Sequence, residues 1–178
     1  MTKQTKNKIQ YGKVIAKQVT YDHIDLSKME TVYEEGTAYF RITKTSALDS
    51  VLAVTKLQLG DLQDSLKGKD KELADALIFQ GIIQTVRELI AAAYVAEGDN
   101  HELLQNAETA RKVIQQEFTY NMAIDMVMTV NEDAKTENPD EIWPKLHEFI
   151  ESLVGVGLTE LFEDATATFN AKLPKDKA

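Results

Sequence analysis

Residues Lys71 to Glu97, KELADALIFQGIIQTVRELIAAAYVAE, decide the fold class. At 3.6 residues per turn Ile78, Phe79, Ile82, Ile83, Val86, Leu89, Ile90, Ala93 and Tyr94 fall within one arc of roughly 160 degrees, much wider than a coiled-coil seam. So broad an apolar side needs cover from more than one neighbour, which makes this stretch the expected central helix of a mainly helical protein. Asp70 is placed to cap its first turn, Glu72 suits the N-terminal end of the dipole, and Gly98 follows as a left-handed stop. Arg87 and Glu88 interrupt the apolar run before it reaches about 18 residues, so a soluble core helix is expected and not a membrane span.

Upstream, Ser46 with Asp49 three residues on marks another helix start. Leu48, Leu52, Thr55, Leu59, Leu62 and Leu66 then recur at alternating spacings of four and three, with Val51 alongside, until Gly68. A heptad seam of this kind packs on a partner helix, most simply the central one, or serves self-association. Downstream of Gly98, Asp99 or Asn100 is expected to cap a long helical stretch from His101 to about Asp133, kinked near Thr119 to Asn121 where the apolar side rotates. Asn121 and Asp125 lie four apart on the continuation of its first apolar face and form a candidate buried polar pair. The acidic segment NEDAKTENPDEIWP (131–144) reads as a loop, with helix starts possible at Asn138-Pro139 or at Pro144. Gly155 and Gly157 divide the apolar stretch beyond Pro144 into two short helices, and AKLPKDKA is a polar tail.

The first 45 residues have a different texture. Ile9 to Tyr21 mixes β-branched and aromatic residues with polar ones at near-alternate positions, which suggests one or two short strands. Asp25 resembles a cap for a short helix, LSKMETVYEE, with Leu26, Met29, Val32 and Tyr33 on one side and Gly36 at its end. TAYFRIT follows as a further strand. The expected architecture is therefore mainly α: a bundle of about five helices over residues 46–173, a basic arm and small N-terminal α/β appendage over 1–45, and a tail over 174–178. Two or three strands do not stand alone in water, so the appendage must pack on the helices or on a partner, and an edge strand there would suit docking.

The chain has 178 residues, 43% of them hydrophobic, and a formal charge of −9. That charge is divided unevenly: residues 1–20 carry five lysines and no acid, and the remainder carries 15 basic against 29 acidic groups, a charge of −14. An acidic body disfavours nonspecific contact with nucleic acid, leaving the basic arm as the one part suited to a polyanion. No cysteine is present, which removes disulfides, thiolate metal sites and a cysteine nucleophile and suits a cytoplasmic setting. The lysines following MTKQTKNK leave no apolar stretch of the kind a secretory leader needs.

Catalytic constellations are sparse. Neither GxxxxGK followed by Ser or Thr nor GxGxxG occurs, Gly155-Val156-Gly157 lacking the third glycine. The residues three before His23, His101 and His147 are Thr20, Gly98 and Pro144, so the paired Glu-x-x-His of helical di-iron sites is missing. Carboxylates three apart, Glu148 with Glu151 and Glu160 with Glu163, are similar to the ExxE and ExxD pairs of magnesium-dependent all-helical nucleotide pyrophosphatases. Only eight residues separate Glu151 from Glu160, however, and the second pair ends in Glu. No cofactor or metal is expected.

The expected function is non-catalytic: a protein-interaction or assembly protein, adaptor or chaperone-like, acting on a protein partner or as a homo-oligomer. The candidate contact residues are Leu48, Leu52, Leu59, Leu62 and Leu66 on the seam and Lys8, Lys13 and Lys17 on the arm. Small acidic helical proteins of tailed phages, tail assembly chaperones among them, match by composition, in which case a virion is the alternative location. An acidic mimic of nucleic acid is a second class, and requires the body's acids to gather on one face.

Overall fold

Two long strands open the architecture. In the computed structural model, which describes residues 13–59, 70–97, 103–134 and 138–172, β1 (Ile15–Asp25) and β2 (Glu30–Phe40) pair antiparallel from Ile15↔Phe40 to Asp25↔Glu30. The helix expected over LSKMETVYEE is thus a turn followed by strand. Leu26, Met29, Val32 and Tyr33 have helical spacing, but ETVYEEGTAYF also carries strand-forming Val, Tyr, Thr and Phe, and its alternate residues Ala38 and Phe40 are buried against the helices. Burial of that period-two face is what the helical alternative cannot supply.

The remaining elements are helical, apart from two short strands. The helix α1 (Lys44–Leu59) leads to the central α2 (Lys71–Ala93), which Asp70 caps by accepting from the Glu72 amide at 3.0 Å. The central helix stops four residues earlier than expected. Tyr94 turns extended (φ −62, ψ 137) and starts β3 (Tyr94–Glu97), which pairs with the end of β2 through Tyr39↔Val95 and Phe40↔Tyr94. β4 (Leu103–Leu104) pairs with β3, giving the sheet order β1-β2-β3-β4. The Tyr94 amide still closes on the Ile90 carbonyl as the last helical bond, and from there the strand-forming Tyr94 and Val95 run along the open edge of β2, where the Arg41 amide donates to the Ala93 carbonyl at 2.7 Å.

The long helix expected from His101 is instead α3 (Ala107–Val113) and α4 (Glu117–Met128). Asn106 caps α3 by accepting from the Thr109 amide at 2.9 Å, and the chain breaks at Ile114–Gln116, not at Thr119–Asn121. Thr119 is fully buried, its hydroxyl donating to the carbonyls of Ile114 (3.1 Å) and Gln116 (2.8 Å) and so fixing the break. Both candidate starts after residue 137 are used. Asn138 caps α5 (Pro139–Ile142), and Pro144 begins α6 (Pro144–Val154) after Trp143. Gly155, at φ 78, ends α6, and α7 (Leu158–Lys172) follows. The described residues hold seven helical segments and a small sheet, a mainly helical protein.

Among the described residues α2 is the one helix long and apolar enough to cross a membrane. In this fold its Ile82, Ile83, Val86, Leu89, Ile90, Ala91 and Ala93 are buried, with α1 on one side and α4 on the other. α7 packs on α1 and α6. A single core runs from Val19 and Phe40 of the hairpin to Phe149, Ile150, Leu153, Leu158 and Leu161 of the last two helices. Phe40 is its joint: fully buried, with the rings of Phe149 and Tyr94 edge-on at 5.6 and 6.1 Å.

Candidate interaction surface

The hairpin is clamped to the helices two-thirds of the way along and free beyond. Asp22 of β1 accepts from the Glu117 amide at 2.8 Å, while the Asp22 amide donates to Gln116 Oε1 at 3.1 Å. Tyr33, opposite Asp22, meets the Glu117 carboxylate through its hydroxyl, which raises its pKa above the ordinary phenol value. Tyr21 lies edge-on to Phe118 at 5.2 Å; burial, followed by its contact with the Tyr94 hydroxyl, pushes its pKa up too. The start of α4 is therefore gripped by three hairpin side chains, Tyr21, Asp22 and Tyr33.

Past this clamp every residue from His23 to Thr31 except Asp25 is exposed, on both faces of the ribbon. Three residue pairs of strand extend about 10 Å, and a four-residue turn closes them. Asp25 does act as a cap, but of a turn and not a helix. Its Oδ1 accepts from the Ser27 amide (2.9 Å) and hydroxyl (2.6 Å), and the Lys28 amide donates to the Asp25 carbonyl at 3.2 Å. Ser27 and, more weakly, Lys28 hold the Asp25 carboxyl below the usual carboxylate range.

This turn displays apolar side chains. Leu26 is 77% exposed, Met29 81% and Ile24 67%. Met29 is the one non-glycine residue with positive φ among the described residues, at 55°, where an L side chain costs about 1 kcal/mol. Beyond the clamp stand Asp25, Glu30 and a single lysine, Lys28, which is 3.5 Å from Asp25; Asp22 at the clamp and Glu34 and Glu35 just inward of it continue the acidic run along the ribbon.

The residues singled out from sequence fall elsewhere. Among the α1 side chains described, residues 44–54, Ala47, Val51 and Val54 are buried and Leu48 and Leu52 only half-buried, so over that span the packed face is rotated from the leucine seam. Leu59 closes α1, whereas Leu62, Leu66 and Lys8 lie outside the described residues. Lys13 and Lys17 are exposed; the Lys13 amide donates to the Leu153 carbonyl at 3.0 Å, and Lys17 lines a groove of about 310 Å³ with Met122, Asp125, Lys145 and Phe149. The outer edge of β1 is occupied at Asp22 by Gln116, which limits strand addition there. Asn121 and Asp125 are not a buried pair: both are exposed, and Asp125 faces the Lys145 ammonium at 2.5 Å. The buried side of α4 is Phe118, Thr119, Ala123, Met126 and Val127, a different phase from that read through the uninterrupted helix.

Two further charged groups are structural in their geometry. Asp140 accepts from the Thr159 amide at 2.9 Å, capping the last helix, and lies 3.0 Å from His147 Nδ1 in an approach too poorly directed for a hydrogen bond. Glu160 and Asp164 hold Lys44 at 2.7 and 3.0 Å. Among the described residues no three His, Asp or Glu side chains converge as a metal site. The apolar tip is hidden in the sequence because its residues also satisfy a helix face; the Asp25-Leu26-Ser27 turn pattern is the signal that points to it. No family model, no characterised protein sequence and no solved structure matches the chain.

Proposed function

We propose that the chain is a non-catalytic interaction protein, of assembly, adaptor or chaperone-like kind, in which the five longer helices are a scaffold for the hairpin and the hairpin is the gripping element. The observation carrying this is the exposure of Leu26 and Met29, 77% and 81%, on a turn held rigid by Asp25. Apolar side chains gain nothing for the fold when left in water, whereas a preordered apolar projection is what a binding anchor requires.

The test is light scattering of the full chain over a wide concentration range, alongside co-purification from the native source at low and high salt. A species heavier than 20.0 kDa, or a stoichiometric companion lost on Leu26→Ser with Met29→Ser, agrees with the proposal. A strict monomer with no companion at either salt concentration overturns it.

A further inference from the structure

Resting on that interaction role, the shape and charge of the hairpin tip narrow the partner: we infer that Leu26 and Met29 form a knob that enters an apolar socket on a different protein whose rim is rich in Lys and Arg. The knob is preformed. Asp25 closes the turn on Ser27 and Lys28, so little conformational freedom remains to be lost when the tip is seated. Its backbone is biased toward display as well, because Met29 occupies a left-handed position that Asn or Gly takes at lower cost, and does so with its side chain in solvent.

Charge selects among possible occupants. Asp22, Asp25, Glu30, Glu34 and Glu35 leave the outer half of the hairpin at net −4 once Lys28 is counted, and Glu30 is directly opposite Asp25 in the register. Like charges facing across a strand pair weaken the hairpin, and Lys28, 3.5 Å from Asp25, is one cation against two acids there. A cationic rim would relieve that excess, and would also speed encounter with the acidic tip. Tip-to-tip pairing of two copies would double the repulsion, and an anionic lipid surface would repel the same carboxylates. A basic-rimmed protein socket satisfies both the apolar knob and its acidic collar.

The experiment follows amide resonances of the isotope-labelled full chain during titration with a synthetic amphipathic helix of leucine and lysine. Parallel titrations use a leucine–glutamate helix of equal length, zwitterionic vesicles and vesicles containing anionic lipid. The lysine helix is expected to move Ile24, Leu26, Met29 and Glu30 first, and Met29→Asn, which keeps the left-handed turn, should weaken this response about tenfold. Glu30→Gln should weaken it less and flatten its salt dependence. An unchanged Ser27 environment in both variants shows that the turn is intact.

Shifts scattered over the acidic body with the tip unmoved would overturn the inference. So would an equal response to the glutamate helix, a response confined to vesicles, or tip shifts that follow protein concentration alone and so report a second copy. If the tip ignores the lysine helix while the chain still shows a companion or an oligomer sensitive to Leu26 and Met29, the charge-matched socket fails and the interaction role stands; if neither appears, both fall.

Discussion

Asp22 caps helix α4 across 95 residues of sequence: its carboxylate takes the Glu117 amide at 2.8 Å, while its own amide is taken by the side chain of Gln116. Gln116 occupies the N-cap position but makes no side-chain cap of its own, so Asp22 alone supplies that acceptor. Removing it leaves an orphan amide at a helix start and takes away one of the three side-chain grips on the hairpin. Asp22→Ala should cost about 1–2 kcal/mol, a fall in the thermal midpoint of about 2–6 °C. A variant melting within a degree of the parent would show that the clamp lies elsewhere.

The last two glycines separate strain from crowding. Gly155 has φ 78 with nothing within 4 Å of where a Cβ would be, so Gly155→Ala meets only the left-handed backbone penalty, about 1 kcal/mol. At Gly157 the added carbon would lie 2.8 Å from both Asp140 Oδ2 and His147 Cε1. Asp140 cannot retreat without releasing the Thr159 amide, so Gly157→Ala should cost more, about 1–3 kcal/mol, and should shift the His147 Cε1 proton. Equal losses in the two variants, measured by urea denaturation, would contradict the tight packing of Gly157 on Asp140.

Elements with a repeated local signal were legible in the sequence. The central helix announces itself through more than four turns of apolar residues, Ile78 to Tyr94, and the Asp70 cap, and the division after α6 through Gly155, because each cue acts within four residues of its effect. The turn at Asp25 and the strand beyond it were not, since Leu26, Met29, Val32 and Tyr33 satisfy a helical period and only the burial of Ala38 and Phe40 on distant helices selects the other one. The same limit applies to Asn121 and Asp125. Their phase depended on one continuous helix, and the break at Ile114–Gln116 comes from Thr119 bonding backward and from Asp22 capping from another element. That shared helical period hides the apolar tip, while the leucines of α1 carry the more regular spacing.

Phe40 measures how far the sheet and the helices share one core. Its ring is fully buried between Tyr94 and Phe149, so Phe40→Ala should lose about 3–5 kcal/mol, a large part of the 5–15 kcal/mol that holds a typical domain together. Hairpin and helices should then melt in one transition at lower denaturant. A loss below about 1.5 kcal/mol, or a hairpin that melts alone while the helices are untouched, would mean that the two parts are held by separate cores.

The tip should respond to acid before the helices do. Asp25 is held below the usual carboxylate range by the Ser27 hydroxyl and amide, so the native turn favours the ionised form more than the unfolded chain does. The order that this lends to the turn is complete at neutral pH, above the unfolded value, and is lost as the pH falls through the lowered native value. Protection of the Ser27 and Lys28 amides, the ratio of the intrinsic to the observed exchange rate, should therefore fall toward one below that value, with α2 amides still protected. Asp25→Asn, which cannot ionise, should show an exchange profile free of this step, because its neutral amide cannot strengthen the turn with charge. Amides of Ser27 and Lys28 that keep constant protection from neutral pH down to pH about 2 in the parent chain would remove Asp25 as the residue that holds the knob in place.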